Sequence, residues 1–280
     1  MSIRILCIGE IVGKSGVFTV KSLLPAVKKQ YNIDFVIANG EGATGGYGIG
    51  KNHAIYLKKL GIDVLTSGER IYYKMDMVQF IANASFILRP ANYPQGNPGR
   101  GWWIYEKNQV KIGIINALGQ SGFNRTHLTN PYVLIPDIIN RIKKETDVII
   151  VDFHATTTAE KQSMFYHLDG KVSAVVGTHF KTQTADETVL PGGTAVITDL
   201  GRAGSLESVG GLDPKVEIQK LVTQIPERSK DCWEALELQG VVLEIDESGK
   251  ALSIERLRVP CEEEFHEREG DSNRDNGSED

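Results

Sequence analysis

The stretch that most limits what this chain can become is residues 148–186, VIIVDFHATTTAEKQSMFYHLDGKVSAVVGTHFKTQTAD. Residues 148–151 and 172–176 are dense in Val, Ile and Ala, and short enough for strands buried on both faces. Each run is followed at once by a histidine close behind it: Asp152-Phe153-His154 in the first case, Gly177-Thr178-His179 in the second. Residues 159–166, between them, predict a crossover helix. A strand–helix–strand unit commits the chain to a parallel α/β sheet, and ligands of such sheets sit at the carboxyl ends of the strands. One histidine at a strand end reads as a hydrogen-bonded cap. Two at equivalent ends point to a metal or phosphate site, because neutral imidazole is the commonest nitrogen ligand.

The same pattern recurs upstream. Residues 3–9 predict a first buried strand, followed by Glu10; residues 35–38 predict a second, leading into Asn39-Gly-Glu41-Gly-Ala-Thr-Gly-Gly-Tyr-Gly. Five glycines in those ten residues predict a tight loop in which the backbone closely approaches something. Residues 64–66 predict a third strand, ending in Ser67-Gly68-Glu69-Arg70. Glu10, Glu41, Glu69, His154 and His179 thus follow five strand ends and are expected to meet at one end of the fold. Residues 10–16 read as Glu10 followed by a turn, since GEIVGKSG lacks the spacing of a phosphate loop. Helices are predicted over residues 17–30, with Pro25 a kink, and over 51–60 and 131–144. Residues 102–106 with 110–117, and 241–245 with 253–259, predict hairpins; 194–198 predicts another strand. Arg89 and Arg100 lie in loops where an anionic substrate or an ordinary surface ion pair would engage them.

With 280 residues, 41% hydrophobic and 24% charged, the chain has enough material for one large core, placed here over residues 1–260. The formal net charge of −5 is unevenly distributed: residues 261–280 carry −7 and the remainder +2. That last segment is acidic and apolar-poor, which predicts a disordered tail. No basic stripe with interleaved aromatics points to a dedicated nucleic-acid surface. Cys7, Cys232 and Cys261 have no zinc or disulfide spacing, and no apolar run approaches membrane-spanning length. The expectation is a cytoplasmic protein, homo-oligomeric, with no membrane partner.

Six stretches carry a more specific signal: FVIANGE (35–41), LRPANYP (88–94), VDFHA-x-x-T-x-EK (151–161), LDG-x-VSAVVGTH (168–179), QTADE (183–187) and ITD-x-G (197–201). In this order they resemble the bacterial metallophosphoesterases of the YmdB type. The resemblance implies an α/β calcineurin-like four-layer α-β-β-α sandwich, and a phosphodiesterase of cyclic or small nucleotides. It implies two close divalent metals, iron or manganese. Their ligands would be an Asp after the first strand, a Glu-Asn pair after the second, an Asn-His pair after the third, one His in DFHA and two in GTH-x-H. The His of the Asn-His pair would be the general acid.

Measured against that pattern, this chain departs at several positions. Glu10 stands in place of the Asp, Gly42 follows Glu41, Glu69-Arg70 replaces Asn-His, and Lys181 replaces the last histidine. Glu41, Glu69, His154 and His179 can still bind one cation, with Glu10 nearby. The second position has lost its ligands at 42 and 181, so at most one metal per chain is expected. Arg70, at the position of the general acid, holds its proton far above neutral pH and cannot serve as an acid there. Neither His127 nor Tyr47 replaces it except by conjecture. Asn39, Arg70, Arg89 and Lys181 are the expected contacts of a small phosphodiester or nucleotide ligand. The reading is a phosphodiesterase-family protein with reduced or lost two-metal catalysis. The alternative is a non-catalytic phosphate-binding or scaffold paralogue in which Lys181 and Arg70 neutralise the former metal site.

Overall fold

The computed structural model describes residues 2–123 and 128–262. The predicted acidic tail beyond Glu262 and His127 lie outside them. In chain order the elements are β1 (Ile3–Ile11), α1 (Gly13–Gln30), β2 (Phe35–Asn39), α2 (Lys51–Lys59), β3 (Val64–Thr66), α3 (Met75–Ile81), β4 (Trp102–Lys107), β5 (Val110–Leu118) and α4 (Pro131–Ile142). They continue with β6 (Ile149–His154), α5 (Thr158–Leu168), β7 (Ala174–Thr178), β8 (Thr188–Val189), β9 (Ala195–Ile197), β10 (Arg202–Ser205), α6 (Pro214–Thr223), β11 (Leu236–Ile245) and β12 (Ala251–Pro260).

The strands form two six-stranded mixed sheets, ordered β12-β11-β10-β1-β2-β3 and β4-β5-β6-β7-β9-β8. Period-2 alternation sorts their side chains into three apolar layers. Ile5, Cys7, Ile37, Ile114, Ile150, Val176 and Val241 fill the space between the sheets. Leu6, Ile8, Val36 and Leu65 face Val20, Leu24 and Leu57 of α1 and α2. Ile149, Val151, Phe153 and Val175 face Ile135, Ile139, Met164 and Phe165 of α4 and α5. The result is the expected α-β-β-α sandwich.

Two local features place the site. Ile150 belongs to the inter-sheet layer, so the alternation carries Asp152 and His154 along that same inner face of β6. In β1 the register against β2 shifts between Ile8 and Glu10. Ile8 and Ile11 therefore both face the helix layer, and Glu10 between them points inward.

The segment predicted as a turn at 11–16 is instead the first turn of α1 from Gly13 onward. Gly16 packs against the carbonyl of Ala203, leaving no room for a side chain. Ser15 N–H donates to Asp231 Oδ2 at 3.1 Å, so a carboxylate of the chain itself occupies this helix N-terminus. Helix α1 continues through Pro25 to Gln30. Helices α3 and α6, and the short strands β8 and β10, had no clear periodic signal in the sequence. None of the helices among the described residues is long and apolar enough to cross a membrane.

Candidate metal centre

The strand ends bring Glu69, His154 and His179 together, with one ligand atom from each lying within 4.8 Å of the others. His154 Nε2 is 3.2 Å from Glu69 Oε2 and 3.0 Å from His179 Nδ1; His179 Nδ1 is 4.0 Å from Glu69 Oε2. Gly68 makes this convergence possible. A Cβ there would sit 2.5 Å from His154 Nε2 and 2.9 Å from Glu41 Oε1.

Beneath the cluster a buried polar chain fixes the tautomer of His154. Thr178 Oγ1 donates its single proton to Asp152 Oδ1 at 2.7 Å. It must therefore accept from His154 Nδ1, 2.9 Å away. In the neutral ring this leaves Nε2 as a lone pair facing Glu69 Oε2 and His179 Nδ1, a place that a proton or a metal ion can fill. Asp152 also accepts from Thr66 Oγ1 and from Asn39 Nδ2, the latter at 3.1 Å. This hydroxyl-relayed carboxylate–histidine arrangement is the kind of outer support that orients metal-binding imidazoles.

The protein's own electrostatics point the same way. Burial alone would push His154 down, but the hydrogen bond and charge of Glu69, with Glu41 and Glu10 behind, hold it above the ordinary histidine range. Burial and the charge of His154 drive His179 down to about 3. Glu69, although burial opposes it, is held at about 2 by His154 and Arg70. Burial, then the charges of Glu69 and Glu10, raise Glu41 to about 7. These carboxylates favour positive charge at the centre, as a proton on His154 or as a metal ion. A carboxylate with two imidazoles is a fitting donor set for a first-row divalent ion.

The other predicted residues flank this centre. Glu41 accepts from Gly68 N–H at 2.6 Å and from Arg70 N–H, which fixes the loop carrying Glu69; it stands beside the three-residue group rather than within it. Arg70 Nε pairs with Glu69 Oε1 at 3.0 Å, and its Nη1 donates to Gly46 O at 3.1 Å. Lys181 Nζ lies 3.3 Å from Glu10 Oε1. Both carboxylate oxygens of Glu10 are buried without a hydrogen bond, so this ion pair is its compensation among the described residues. Gly42 explains the crowding: a Cβ there would lie 2.7 Å from Glu10 Oε1 and 2.9 Å from Ile11 O. The longer acid at position 10 fills the space that a side chain at 42 would need.

Two expected ligand contacts are placed differently. Asn39 is 1% exposed, with its amide engaged by Asp152, Thr178 and the backbone N–H of Glu41. It supports the site from below and has no face for a ligand. Arg89 is also buried and donates Nη1 to Pro90 O at 2.7 Å, forming no hydrogen bond or ion pair with the cluster.

Sequence reasoning missed the supports of the His179 loop. His179 (φ 109°) and Lys181 (φ 62°) both adopt left-handed backbone, which an L-residue holds only when its surroundings enforce it. Asp199 does so. Its Oδ2 accepts from the N–H of Phe180, between them, at 2.9 Å and from the ammonium of Lys161 at 2.9 Å. Lys161 and Asp199 are both fully buried, and the ammonium stands 3.7 Å above the Phe180 ring. Phe123 closes the other side, stacked on His154 and edge-on to His179. The signal for Lys161 was present in the EK and ITD-x-G stretches but carried no stated role.

Known proteins are similar to this chain in sequence and fold. A family model described as YmdB-like protein matches residues 6–257. A Bacillus subtilis protein described as a 2',3'-cyclic-nucleotide 2'-phosphodiesterase is 37% identical over 265 residues, which is 94% of this chain and 100% of that protein. A crystal structure described as a novel phosphatase from Mycoplasma pneumoniae superposes with a TM-score of 0.87 at 32% identity, covering 93% of this chain and 94% of that one. A putative 5'-nucleotidase from Staphylococcus aureus, at 14% identity and TM-score 0.61, covers 96% of this chain and 56% of that one and shares the fold alone. With its strand-end cluster and a family match over nearly its whole length, this chain belongs to the YmdB-like protein family.

Proposed function

We propose that this chain binds small phosphodiesters or nucleotides through their phosphoryl group, using one divalent cation, and that its two-metal hydrolysis is reduced or lost. The observation that carries this reading is the convergence of Glu69, His154 and His179, with Nε2 of His154 directed at the other two. Those three side chains would hold the cation, iron or manganese by family resemblance, with Glu41 beside them. The bound ion would supply Lewis-acid polarisation of a phosphoryl oxygen. Arg70, tethered to Glu69, presents a guanidinium suited to clamping a phosphate oxygen. Lys181 adds an ammonium at Glu10. The substrate class comes from the relative in Bacillus subtilis, whose description names a 2',3'-cyclic nucleotide.

Reduced catalysis is supported by three features. Lys181 and Glu10 form an ion pair where the family resemblance implies a second metal. Gly42 offers no ligand there. Arg70 is a poor proton donor, since Glu69, Glu10 and Glu41 outweigh the effect of burial and raise its pKa further. A second reading, a non-catalytic nucleotide-binding paralogue, is favoured by the Glu10–Lys181 pair specifically. A cytoplasmic, homo-oligomeric protein completes the proposal.

The test is hydrolysis of bis(p-nitrophenyl) phosphate and of 2',3'-cyclic adenosine monophosphate by manganese-loaded protein. Slow turnover abolished by His154→Ala or His179→Ala is the expected result. Nucleotide binding with no turnover selects the second reading. Binding of neither compound, with or without metal, overturns both.

A further inference from the structure

The glycine-rich loop is more elaborate than the metal centre requires. Gly45 (φ 62°), Gly46 (φ 76°) and Gly48 (φ 78°) all take left-handed backbone, and they enclose one large side chain, Tyr47. The loop is closed around it by Thr44 N–H to Gly48 O and Gly46 N–H to Gly42 O, both 3.0 Å, and by Gly50 N–H to Thr44 Oγ1 at 2.8 Å. This is a rigid tip that holds out an aromatic ring, 37% exposed, where a bulkier sequence could not turn.

Tyr47 connects directly to the centre. The Arg70 guanidinium carbon lies 4.9 Å from the ring centroid, and Arg70 Nε is paired with Glu69, whose other oxygen faces His154. Tyr47 also lines a cavity of about 210 Å³, together with Lys220, Gln224, Ile225, Pro226 and Glu227. Lys220 Nζ donates to the Tyr47 hydroxyl at 3.4 Å and fixes the ring from α6. Ile225 is 66% exposed at the cavity, an apolar surface open to solvent among the described residues. The cavity therefore offers the Tyr47 ring, an aliphatic wall, an amide and a carboxylate among its lining residues. Lys220 beside it is paired with Glu217 at 2.6 Å and Arg70 with Glu69 at 3.0 Å, so the recognition the cavity offers is of a base more than of a charge.

We propose that Tyr47 and this cavity form a nucleobase subsite, taking the base of a nucleotide whose phosphate lies at the Glu69–His154–His179 centre. This rests on the phosphate-binding reading above. Stacking on an aromatic ring is tolerant of base identity, because every base has a π-face. Glu227 can only accept while ionised, so it favours a base with an exocyclic amine, such as adenine.

The experiment is calorimetric titration of the manganese-loaded full chain with adenosine 5'-monophosphate and with ribose 5-phosphate, which lacks the base. Wild type should bind the nucleotide about 5- to 10-fold more tightly, the lower end of what base stacking supplies. Tyr47→Ala should erase that preference while leaving ribose 5-phosphate affinity unchanged; Tyr47→Phe should keep it, since the ring remains. Equal affinities in wild type, or a preference that survives Tyr47→Ala, overturns the subsite while the phosphate reading stands. Failure of both compounds to bind overturns the two together.

Discussion

Replacing Lys161 by Met tests the buried support of the metal centre. The ammonium is fully buried, 2.9 Å from an equally buried Asp199. Burial lowers the pKa of Lys161 and raises that of Asp199, each opposed by its partner's charge. Met keeps most of the side-chain volume and removes the charge. Removing one partner of a buried pair costs about 3–5 kcal/mol. Protonation limits this cost. Neutralising Asp199 at pH 7 from its ordinary value of 3.8 costs about 4 kcal/mol at 1.36 kcal/mol per pH unit. At pH 5 the same ceiling falls to about 1.6 kcal/mol. In the variant the folded-state pKa of Asp199 lies above its unfolded value, so the folded form binds the extra proton, and stability falls as pH rises between those two values. The expected loss is about 3–4 kcal/mol at pH 7, roughly 6–16 °C in Tm, and clearly smaller at pH 5. Urea denaturation followed by circular dichroism at both pH values measures it. A loss below about 1 kcal/mol at pH 7, or one equally large at pH 5, refutes the reasoning.

Three further outcomes follow from the same geometry. Thr178→Val removes the relay between Asp152 and His154 and should weaken manganese binding about 10- to 100-fold; unchanged affinity by calorimetry would mean the relay does not orient the imidazole. Gly42→Ala should destabilise by about 1–3 kcal/mol because its Cβ meets Glu10 Oε1 and Ile11 O. Adding Glu10→Asp should recover part of that loss, and full additivity of the two changes would show that the positions do not compete for space. Gly68→Ala places a methyl against His154 Nε2 and Glu41 Oε1; it should abolish metal binding, and a variant that binds metal normally removes the case for a crowded centre.

Much of this architecture is legible in the sequence because its signals are local. The Val- and Ile-rich runs of β6 and β7 and the histidines behind them define a parallel unit and its ligand end, and period-2 alternation sets the inner face of Asp152 and His154. The first turn of α1 was missed because Gly13 and Gly16 read as turn residues; Asp231, 216 positions away from Ser15, caps that helix. Asn39, expected as a ligand contact, is engaged by buried protein groups for a related reason. A polar residue at a strand end is equally consistent with a ligand contact or a buried support, and the hydrogen bonds to Asp152 and Thr178 that decide it come from the other sheet. The Lys161–Asp199 pair is likewise invisible to periodicity, since a lysine in an amphipathic helix reads as solvated until a carboxylate from a distant strand is brought beneath it.

The central claim is that the centre holds one cation, with the Glu10–Lys181 ion pair standing where another would bind. The most direct measurement is metal content per chain by inductively coupled plasma mass spectrometry, after reconstitution with excess manganese and gel filtration. The account predicts one metal per chain in the wild type, and none in His154→Ala. Two tightly held metals per wild-type chain would contradict it.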